Sequence, residues 1–398
     1  MIPRLDISFP LYRQWQYWFG KEYEPHKGEY LLNHARTGIV MALRASLPDG
    51  GKVGVVAYNC HTVANAVVNA GCTPVFVDVT EELRVDIDSV PRDLDAIVVT
   101  NLFGIRNDVE TIRKRCPKAL IIVDNAHGYG LPAEGDFTVY SINQGKFPAL
   151  GPGGLLYINQ KNDKKNTESS EDTDSISTVM TPQSTHKQAS GLLDDSLRLK
   201  DVVTQYSSDD SAIDTKNNYC TAIEEMYEAL PKYGFIAQVK LFVQMLVKAV
   251  AYSKSCYWLV RKLKKNASPK LHQKIVMRQM APGIRRLYKA WLPQAEKEIA
   301  AQRANAEKIR SLGYEIIIGD NGFMAIIRTN DVAAAKADFA KRGIETETHF
   351  ARCIEWAMEF GYKQGSCPMA EKMTKVLLMI PTYYTIDDRG LSGIGKAE

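Results

Sequence analysis

LIIVDNAHGYGLPAEGDFTVYSINQGKFPALGPGGLLYI, residues 120–158, contains three short apolar runs, and each gives way to small, polar or turn-forming residues. The runs are Leu120–Asp124, Phe137–Ile142 and Gly154–Ile158, and their β-branched and aromatic residues are typical of buried strands. Asp124 ends the first run, and Lys146 follows the second inside a glycine-rich turn. Such side chains directly after buried strands indicate an α/β protein, because ligands of these folds collect at the carboxyl ends of the strands.

The same alternation extends towards the N-terminus. Further β-branched runs lie at Val53–Tyr58, Pro74–Val79 and Ala96–Asn101, and helix-like stretches such as Val63–Ala70 and Val109–Arg115 lie between the strands. Strands that are apolar along nearly their whole length are buried on both faces, which is characteristic of parallel sheets. We therefore expect an α/β fold with a mainly parallel central sheet and helices on both of its faces.

Size and charge exclude several classes of protein. The chain has 398 residues and a formal net charge of +4, which is small for this length. It has no basic stripe interleaved with aromatic residues, so a nucleic-acid partner is not expected. The seven cysteines include no CxxC pair, which favours reduced thiols over disulfides or a zinc site. The N-terminal segment lacks the apolar core of a signal peptide, so we expect a cytoplasmic protein.

The middle of the chain differs in composition from both ends. Residues 161–215 open on a run rich in Ser, Thr, Asp and Lys, from which we predict a mobile low-complexity insertion. Residues 216–265 are predicted to form a helical insertion that is both apolar and basic. Within it, Lys240, Gln244 and Lys248 share one helical face, and the lysines argue against a transmembrane span.

Two interpretations of residues 233–265 remain open. In the first, the segment is a helical pair that packs on the body of the protein or on a second subunit. In the second, it is an amphipathic helix that lies on the inner, anionic face of a membrane, as a peripheral contact. The second interpretation rests on interfacial aromatic residues and on a basic end: Tyr252, Tyr257, Trp258, Arg261, Lys262, Lys264 and Lys265.

The C-terminal part has its own pattern. Residues 280–312 are predicted to form one long helix. Two strand-like runs, Tyr314–Ile318 and Phe323–Arg328, come next, and the helix Val332–Arg342 follows them. We therefore expect a small C-terminal α/β domain beside a large domain, with the bounds 305–398 for the first, and 1–160 with 266–304 for the second.

A carboxylate and a lysine at strand ends suggest one kind of cofactor chemistry. Asp124 is placed to pair with a protonated ring nitrogen in the ligand crevice, as the pyridinium of pyridoxal 5'-phosphate (PLP) requires, or else it caps the strand end. Lys146, flanked by glycines, fits an amine that forms a Schiff base with an aldehyde. Its ordinary alternative is a surface lysine.

Two further features suit a phosphate group. Ser141 lies five residues before Lys146, where its hydroxyl can bind a phosphate oxygen, although it also fits an ordinary strand serine. Upstream, HARTGIVMALRASL predicts a helix that begins at about Gly38 with Thr37 as its N-cap. The free N–H groups of a helix start attract anions, but helix starts of this kind are common.

Several stretches, in matching order, resemble the sugar aminotransferases of the DegT/DnrJ/EryC1/StrS family. The resemblance extends over residues 30–160 and 275–390, and it implies the PLP-dependent transferase fold type I with a small C-terminal α/β domain. Its motifs are specific for the family and carry no information about the sugar. The stretches are RTGIVMALRA (36–45), AYNCHTVANAVVNAGCTPVFVDV (57–79), VTNLFG (99–104), VDNAHGYG (123–130), GDFTVYSINQGKFPALGPGG (135–154), GIETETHF (343–350) and CPMAEKMTKVLLMIPTYY (367–384).

The resemblance implies roles for individual residues. With PLP as the cofactor, Asp124 corresponds to the partner of its ring nitrogen, and Lys146 to the lysine of the Schiff base, which also acts as general acid and base. His127 falls near the cofactor's hydroxyl edge, or is a core histidine. The phosphate would lie against Ser141, Thr37 and Gly38, and His349 aligns with a substrate-side position.

Three departures from the family pattern stand out. Where the family has an aromatic residue stacked on the PLP ring, the run Tyr58-Asn59-Cys60-His61 places Cys60, with His61 or Tyr58 as substitutes. Tyr58 is also a candidate for contact with the substrate. The Asn-Tyr-Arg-Met motif that reaches the phosphate from the partner subunit is replaced by Val276–Met280, which lacks the asparagine. The insertion over residues 161–265 is longer than the expected linker.

The expected activity is transfer of an amino group, from glutamate, to a keto sugar that is linked to a nucleotide. Such a reaction would serve surface-polysaccharide or amino-sugar biosynthesis, in a homodimer. One alternative is a PLP-dependent sugar dehydratase, although related dehydratases carry histidine in place of the lysine. Another is a PLP-binding or cofactor-free scaffold that is tethered to a membrane or a partner through residues 216–265.

Overall fold

Two β-sheets organise the chain. The computed structural model of the protein describes residues 14–159, 214–251, 269–311 and 314–383. All of these residues belong to one compact unit, which contains a seven-stranded and a three-stranded sheet. The predicted low-complexity insertion lies outside the described residues, apart from residues 214 and 215. The predicted domain bounds remain a prediction.

The larger sheet contains the predicted strands and one more. In chain order, β1 to β7 are Glu29–Leu32, Lys52–Val56, Thr73–Val77, Ala96–Thr100, Leu120–Asn125, Phe137–Ser141 and Gly154–Ile158. They lie in the order β1-β7-β6-β5-β4-β2-β3. Strands β6, β5, β4, β2 and β3 run parallel, whereas β7 pairs antiparallel with β6 and β1. The prediction of a mainly parallel sheet is confirmed, and β1 is the strand that sequence analysis missed.

The central strands are buried on both faces. Every residue of β4 and of β6 is buried, although successive side chains point to opposite faces of the sheet. Both faces are therefore covered, as the apolar runs predicted. The first four helices, α1 to α4, are Gln14–Phe19, Ala35–Ser46, His61–Asn69 and Val109–Arg115.

The predicted start of α2 was wrong. The helix begins at Ala35 with His34 as its N-cap, so Thr37 and Gly38 lie inside it. The Thr37 hydroxyl donates to Asn33 Oδ1 over 2.8 Å instead of capping a later turn. Gly38 serves packing, because a Cβ there would lie 2.9 Å from Val139 Cγ1 on β6. Close contact between α2 and the sheet thus requires the glycine.

The second insertion is helical where the structure describes it. Helix α5 spans Asp214–Glu228 and α6 spans Phe235–Ala251, while residues 252–265, with the predicted basic end, lie outside the described residues. The buried face of α6 is formed by Leu241, Met245 and Ala249. As predicted, the polar residues share another face, which is exposed: Lys240, Gln244 and Lys248. Within the described ranges, the helices are too short or too polar to cross a membrane.

The predicted long helix over residues 280–312 is two helices. Helix α7 spans Pro282–Trp291 and α8 spans Ala295–Arg310, with a 3₁₀ turn at Leu292–Gln294 between them. Pro293 explains the interruption, because proline has no N–H to donate within a helix. Trp291 Nε1 donates to Glu298 Oε2 over 2.6 Å and ties the two helices together across the turn.

The smaller sheet follows α8. Its strands β8, β9 and β10 are Ile316–Ile318, Met324–Arg328 and Leu377–Pro381, and they are antiparallel in the order β10-β9-β8. The predicted order of two strands and a helix is confirmed, and β10 joins them from the C-terminal end. The accompanying helices, α9 to α11, are Val332–Lys341, Cys353–Met358 and Pro368–Val376.

Candidate active site

The amine of Lys146 lies in a desolvated position after β6. The backbone N–H of Lys146 donates to Asn143 O over 3.0 Å. This bond closes a turn directly after β6. The Nζ atom of Lys146 lies 2.5 Å from His127 Nε2. Burial lowers the pKa of Lys146 from its usual 10.5, and the negative charges of Cys60, Asp124 and Glu347 oppose this shift only in part. The lysine is therefore closer to its neutral, nucleophilic form than a surface lysine.

The hydrogen bonds of His127 define which of its nitrogens carries a proton. Its Nδ1 accepts a hydrogen bond from the backbone N–H of Phe103 over 3.2 Å. Burial, with the charges of Lys146 and His349, holds the pKa of His127 well below 6.5, so the ring is neutral. A neutral imidazole whose Nδ1 accepts has its proton on Nε2. The short contact to Lys146 is then an Nε2–H donor facing the lone pair of an uncharged amine.

Aromatic rings enclose His127. Phe103, Phe323 and Phe350 lie with their ring centroids 5.3, 5.1 and 6.1 Å from the imidazole, all nearly parallel to it. Phe103 and Phe350 have φ angles of 55° and 60°, a left-handed conformation that costs free energy for residues other than glycine. This strain around one histidine is typical of a functional site, where neighbouring structure holds a side chain in place.

Asp124 ends β5 as a buried carboxylate that faces a short polar chain. Its Oδ1 accepts from the Ala126 N–H over 3.0 Å, and Thr100 Oγ1 approaches Oδ2 at 3.4 Å. Asn59 in turn donates to Thr100 over 2.8 Å. Burial raises the pKa of Asp124, and the Ala126 N–H, Lys146 and Thr100 oppose that shift only in part. A cationic group in this crevice would stabilise the carboxylate.

Sequence analysis missed the supporting residues of the site. Thr100 could have been found from the sequence, because it ends the apolar run of β4. In the parallel register it lies directly beside Asp124 of β5. Asn59 and the phenylalanines around His127 gave no comparable signal. Phe323 and Phe350 come from the part of the chain that carries the smaller sheet, far away in sequence.

Cys60 combines a helix start with nearby positive charge. It is the N-cap of α3 and accepts a hydrogen bond at Sγ from Thr62 Oγ1 over 3.1 Å. Burial alone would raise the pKa of the thiol, but the side chains of His61 and Thr62 and the charge of Lys146 outweigh it and hold the pKa at about 7. The predicted stacking position is thus occupied by a thiol that is partly ionised at neutral pH.

The predicted phosphate residues meet at the start of α2. Ser141 pairs with Gly154 across β6 and β7, and a Cβ on Gly154 would clash with the backbone N of Ala35. The Ser141 hydroxyl therefore lies next to the first turn of the helix. Thr37 lies in the same helix, but its hydroxyl is already bonded to Asn33.

The remaining predicted residues occupy different positions. Tyr58 is fully buried, and its hydroxyl donates to the His349 carbonyl over 2.9 Å, so it joins two parts of the fold. The ring of His61 packs edge-to-face on Trp356, with 5.1 Å between centroids. The His349 ring lies 6.0 Å from that of His127, on the side of the residues that follow β9. The His349 ring is therefore close to the His127 ring, which contacts Lys146. Tyr58 holds the backbone of His349 through its hydroxyl.

The segment Val276–Met280 is bound within its own chain. Asn33 Nδ2 donates to the Val276 carbonyl over 2.7 Å. The Asn33 backbone N–H donates to Arg278 O over 3.0 Å, and the Arg278 N–H donates to Asn33 Oδ1 over 3.3 Å. Met280 N–H donates to Leu31 O over 2.8 Å at the end of β1. The segment thus lies beside the start of α2, where the same asparagine also holds Thr37.

These residues fit PLP. A buried amine with a lowered pKa beside an imidazole suits an aldehyde, and a buried carboxylate suits a protonated ring nitrogen. The Ser141 hydroxyl and the first turn of α2 suit a phosphate. Lys146, Asp124 and Ser141 would hold the aldehyde carbon, the ring nitrogen and the phosphate, respectively.

Comparisons with solved structures agree on the fold. The sugar aminotransferase CalS13 from Micromonospora echinospora has a TM-score of 0.61 at 14% identity, over 99% of this chain and 98% of that one. Spr1654 from Streptococcus pneumoniae, in its PLP form, gives 0.62 at 14% identity, over 99% and 96%. DesI, in the presence of its TDP-sugar product, gives 0.58 at 15% identity, over 91% and 77%. At these identities the likeness establishes the fold.

One family model matches the part of the chain that forms the larger sheet. No curated protein matches the chain in sequence. Residues 30–192 match the model described as the DegT/DnrJ/EryC1/StrS aminotransferase family, whose members are PLP-dependent sugar aminotransferases. The matched range contains β1 to β7 and, with them, Asp124, His127, Ser141 and Lys146. Over this region the chain is similar to the DegT/DnrJ/EryC1/StrS aminotransferase family.

Proposed function

We propose that the protein is a PLP-dependent aminotransferase that moves an amino group from glutamate to a keto sugar linked to a nucleotide. The observation that carries this proposal is the contact of 2.5 Å between Lys146 Nζ and His127 Nε2, in a site that also contains the buried carboxylate of Asp124. Lys146 then supplies an amine for the aldehyde of PLP, and Asp124 supplies a carboxylate for its ring nitrogen. We further propose that the reaction serves amino-sugar or surface-polysaccharide biosynthesis.

The residues of the chain divide the work. PLP, when bound, supplies an electron sink that stabilises the negative charge left after a proton leaves the donor's α-carbon. Asp124 holds the proton on the ring nitrogen by its negative charge. Lys146 takes and returns the proton at its Nζ, for which a lowered pKa is suited. His127 orients Nζ through its Nε2–H, and its aromatic surroundings exclude water from that contact.

The choice of substrate class rests on the family and on one neighbour in fold. Members of the family are sugar aminotransferases, and DesI was crystallised with a TDP-sugar. Retention of Lys146 argues against dehydration, because related dehydratases carry histidine there. These observations support a nucleotide-linked keto sugar as acceptor, without selecting a nucleotide or a ring position.

The test uses the purified full-length protein. It is incubated with PLP, ¹⁵N-labelled glutamate and a panel of nucleotide-linked keto sugars, and product masses are recorded. We expect one acceptor to gain an amino group that carries the label. Lys146→Ala should abolish both the product and the Schiff-base absorbance band, whereas Lys118→Ala, at a position away from the site, should retain both. Product formation by Lys146→Ala at the wild-type rate would refute the assignment.

A second candidate function has its own observation. Cys60 stands where the family stacks an aromatic ring on the cofactor, and this departure favours a catalytically altered PLP-binding or cofactor-free scaffold. Colour distinguishes the two candidates. Protein that is colourless after incubation with PLP, and from which borohydride yields no labelled Lys146, would favour the scaffold. Yellow protein without turnover on any sugar would favour an altered PLP-binding protein.

The assembly of the protein is also a proposal. Helix α6 presents an exposed apolar stripe beside its lysines, with Ile236 83%, Val243 49%, Val247 62% and Val250 53% exposed. We therefore propose a cytoplasmic homodimer that uses this stripe. Val247→Glu should shift the mass measured by light scattering from dimer to monomer, and flotation of wild-type protein with anionic vesicles would favour the membrane instead.

A further inference from the structure

Three basic side chains surround the first turn of α2. His34 is the N-cap of the helix, Arg36 lies in its first turn, and Lys248 approaches from α6. Burial, together with the charges of Arg36 and Lys248, lowers the pKa of His34 to about 4. Both charged side chains therefore lie close enough to His34 to oppose its protonation.

This cluster has no anionic partner in the described part of the chain. There, the side chains of His34, Arg36 and Lys248 form neither hydrogen bonds nor ion pairs. Among the described residues, the thiolate form of Cys60, in the pocket that holds Lys146, favours the charged form of Arg36. A half-buried guanidinium without a carboxylate is costly unless an anion from outside the chain compensates it.

The insertion brings Lys248 to this place. Met245 of α6 is buried against the turn that carries Lys146, because a Cβ on Gly151 would lie 2.9 Å from Met245 Cε. Lys248 lies three residues later, on the neighbouring turn of the helix. The contact of Met245 thus positions α6 so that its lysine reaches the N-terminal end of α2.

Other donors converge on the same point. The first N–H groups of any α-helix have no acceptor within the helix, and the helix dipole adds partial positive charge there. His34, as N-cap, makes no side-chain bond to them. Ser141 lies next to this turn through Gly154, and within the described ranges its hydroxyl hydrogen has no acceptor. Backbone donors, one hydroxyl and basic side chains together match a phosphate group.

We propose that Arg36 and Lys248 bind the 5'-phosphate of PLP at the first turn of α2, beside Ser141. This inference rests on the proposed function, since it takes PLP as the ligand. It assigns both charges to one chain, in the place of the asparagine that the family supplies from the partner subunit and that Val276–Met280 lacks. The helical insertion then has a role in cofactor binding.

The experiment separates the phosphate from the rest of the cofactor. Full-length wild type, Arg36→Gln, Arg36→Lys, Lys248→Gln and Lys240→Gln are titrated with PLP and with pyridoxal, which lacks the phosphate. The Schiff-base absorbance gives a Kd for each. We expect Arg36→Gln to weaken PLP binding about tenfold or more and to leave pyridoxal binding unchanged, because charge-assisted bonds to phosphate are strong. Arg36→Lys should retain most of the affinity.

The two lysines of α6 form a matched pair. Lys248→Gln should weaken PLP binding about threefold, since an exposed charge contributes less. Lys240→Gln removes the same charge from the same helical face, two turns away, and should change neither Kd. Thermal melts of all variants confirm that they are folded.

Each other outcome overturns the inference. Equal weakening of PLP and pyridoxal by Arg36→Gln would mean that Arg36 shapes the pocket without binding phosphate. If Arg36→Gln bound uridine or thymidine diphosphate more weakly than wild type and kept the wild-type ratio of PLP to pyridoxal affinity, the cluster would be assigned to the substrate's nucleotide. A wild type that binds pyridoxal and PLP equally would refute the inference while leaving the proposed function intact. Failure of the wild type to form a Schiff base with either compound would refute both.

Discussion

His127 bridges the backbone N–H of Phe103 and the amine of Lys146, with 3.2 Å at Nδ1 and 2.5 Å at Nε2. The first bond leaves the proton on Nε2, and the second then requires a lone pair on the lysine. A protonated Lys146 would have to donate to Nε2, and the imidazole proton would then be on Nδ1. There it would face the Phe103 N–H, so that two donors would point at each other. The histidine therefore favours the uncharged amine through its tautomer.

His127→Phe should raise the pKa of Lys146. The substitution keeps an aromatic ring among Phe103, Phe323 and Phe350 but removes the donor that favours the neutral amine. Schiff-base formation requires the deprotonated amine, so its rate rises with pH through the pKa of Lys146, and the midpoint should move to higher pH in the variant. Stopped-flow absorbance with PLP across the pH range measures the midpoint. His272→Gln, at an exposed position, is the control, and an unchanged midpoint in His127→Phe would contradict the tautomer argument.

Asp124→Asn should weaken PLP binding without weakening the cofactor-free fold. Burial raises the pKa of Asp124 above 3.8, so the folded state retains the proton more strongly than the unfolded state. Stability from this group is therefore lost as the pH rises above about 3.8, and the neutral asparagine removes that loss. Melting temperatures of cofactor-free wild type and variant, compared from pH 4 to pH 8, check the sign.

Addition of PLP should reverse the effect of Asp124 on stability. With PLP added, wild type should gain more in melting temperature than Asp124→Asn, because only the carboxylate stabilises a protonated ring nitrogen. Thr100→Val serves as a control that disturbs a neighbour of Asp124 and keeps its charge. An equal gain in wild type and Asp124→Asn would remove Asp124 from its proposed role.

Cys60 should be the most reactive thiol among the described cysteines at neutral pH. Its pKa of about 7 predicts a rate of alkylation by iodoacetamide that rises with pH and is half-maximal near pH 7. Burial raises the pKa of Cys72, Cys116, Cys353 and Cys367, so these thiols should react slowly. Peptide mass spectrometry of the alkylated protein identifies the site, and Cys60→Ser gives the background.

Two changes should slow this alkylation. Lys146→Gln removes an amine whose protonated form favours the thiolate, so the midpoint should move to higher pH. Bound PLP should shield Cys60 if the thiol lies against the ring, as the family pattern implies for this position. Alkylation that PLP does not slow would place Cys60 outside the cofactor's contact.

Residues at strand ends were predictable from the sequence, and residues that converge from distant elements were not. Asp124 and Lys146 each follow a run of buried β-branched residues, and parallel strands bring such ends together. The aromatic surroundings of His127 left no periodic signal, because Phe103 lies in a 3₁₀ turn and Phe350 comes from residues after β9. For His127 the structure shows a buried histidine that contacts Lys146, and its place at the cofactor's hydroxyl edge stays a prediction. The prediction of where α2 starts was wrong. Thr37 suits an N-cap by residue type, but in the structure it lies inside the helix and its hydroxyl donates to Asn33.

Gly38→Ala should destabilise the protein, although alanine favours helices by about 1 kcal/mol over glycine. The added Cβ would lie 2.9 Å from Val139 Cγ1 and 3.2 Å from Leu156 Cβ, both on the sheet, so α2 would have to move away from it. Overpacking of this kind costs about 1–3 kcal/mol, which outweighs the gain in propensity. Urea denaturation measures the free energy of unfolding.

Gly234→Ala is the matched control for Gly38→Ala. A Cβ at Gly234 would have no neighbour within 4 Å, so this variant should be as stable as wild type or slightly more stable. Equal stability of the two variants would contradict the packing role of Gly38. The ratio of PLP to pyridoxal affinity adds a second measurement, because a residue that serves packing alone should leave it unchanged. A ratio that falls in Gly38→Ala would show that the fit of α2 to the sheet also sets the position of its first turn relative to the phosphate.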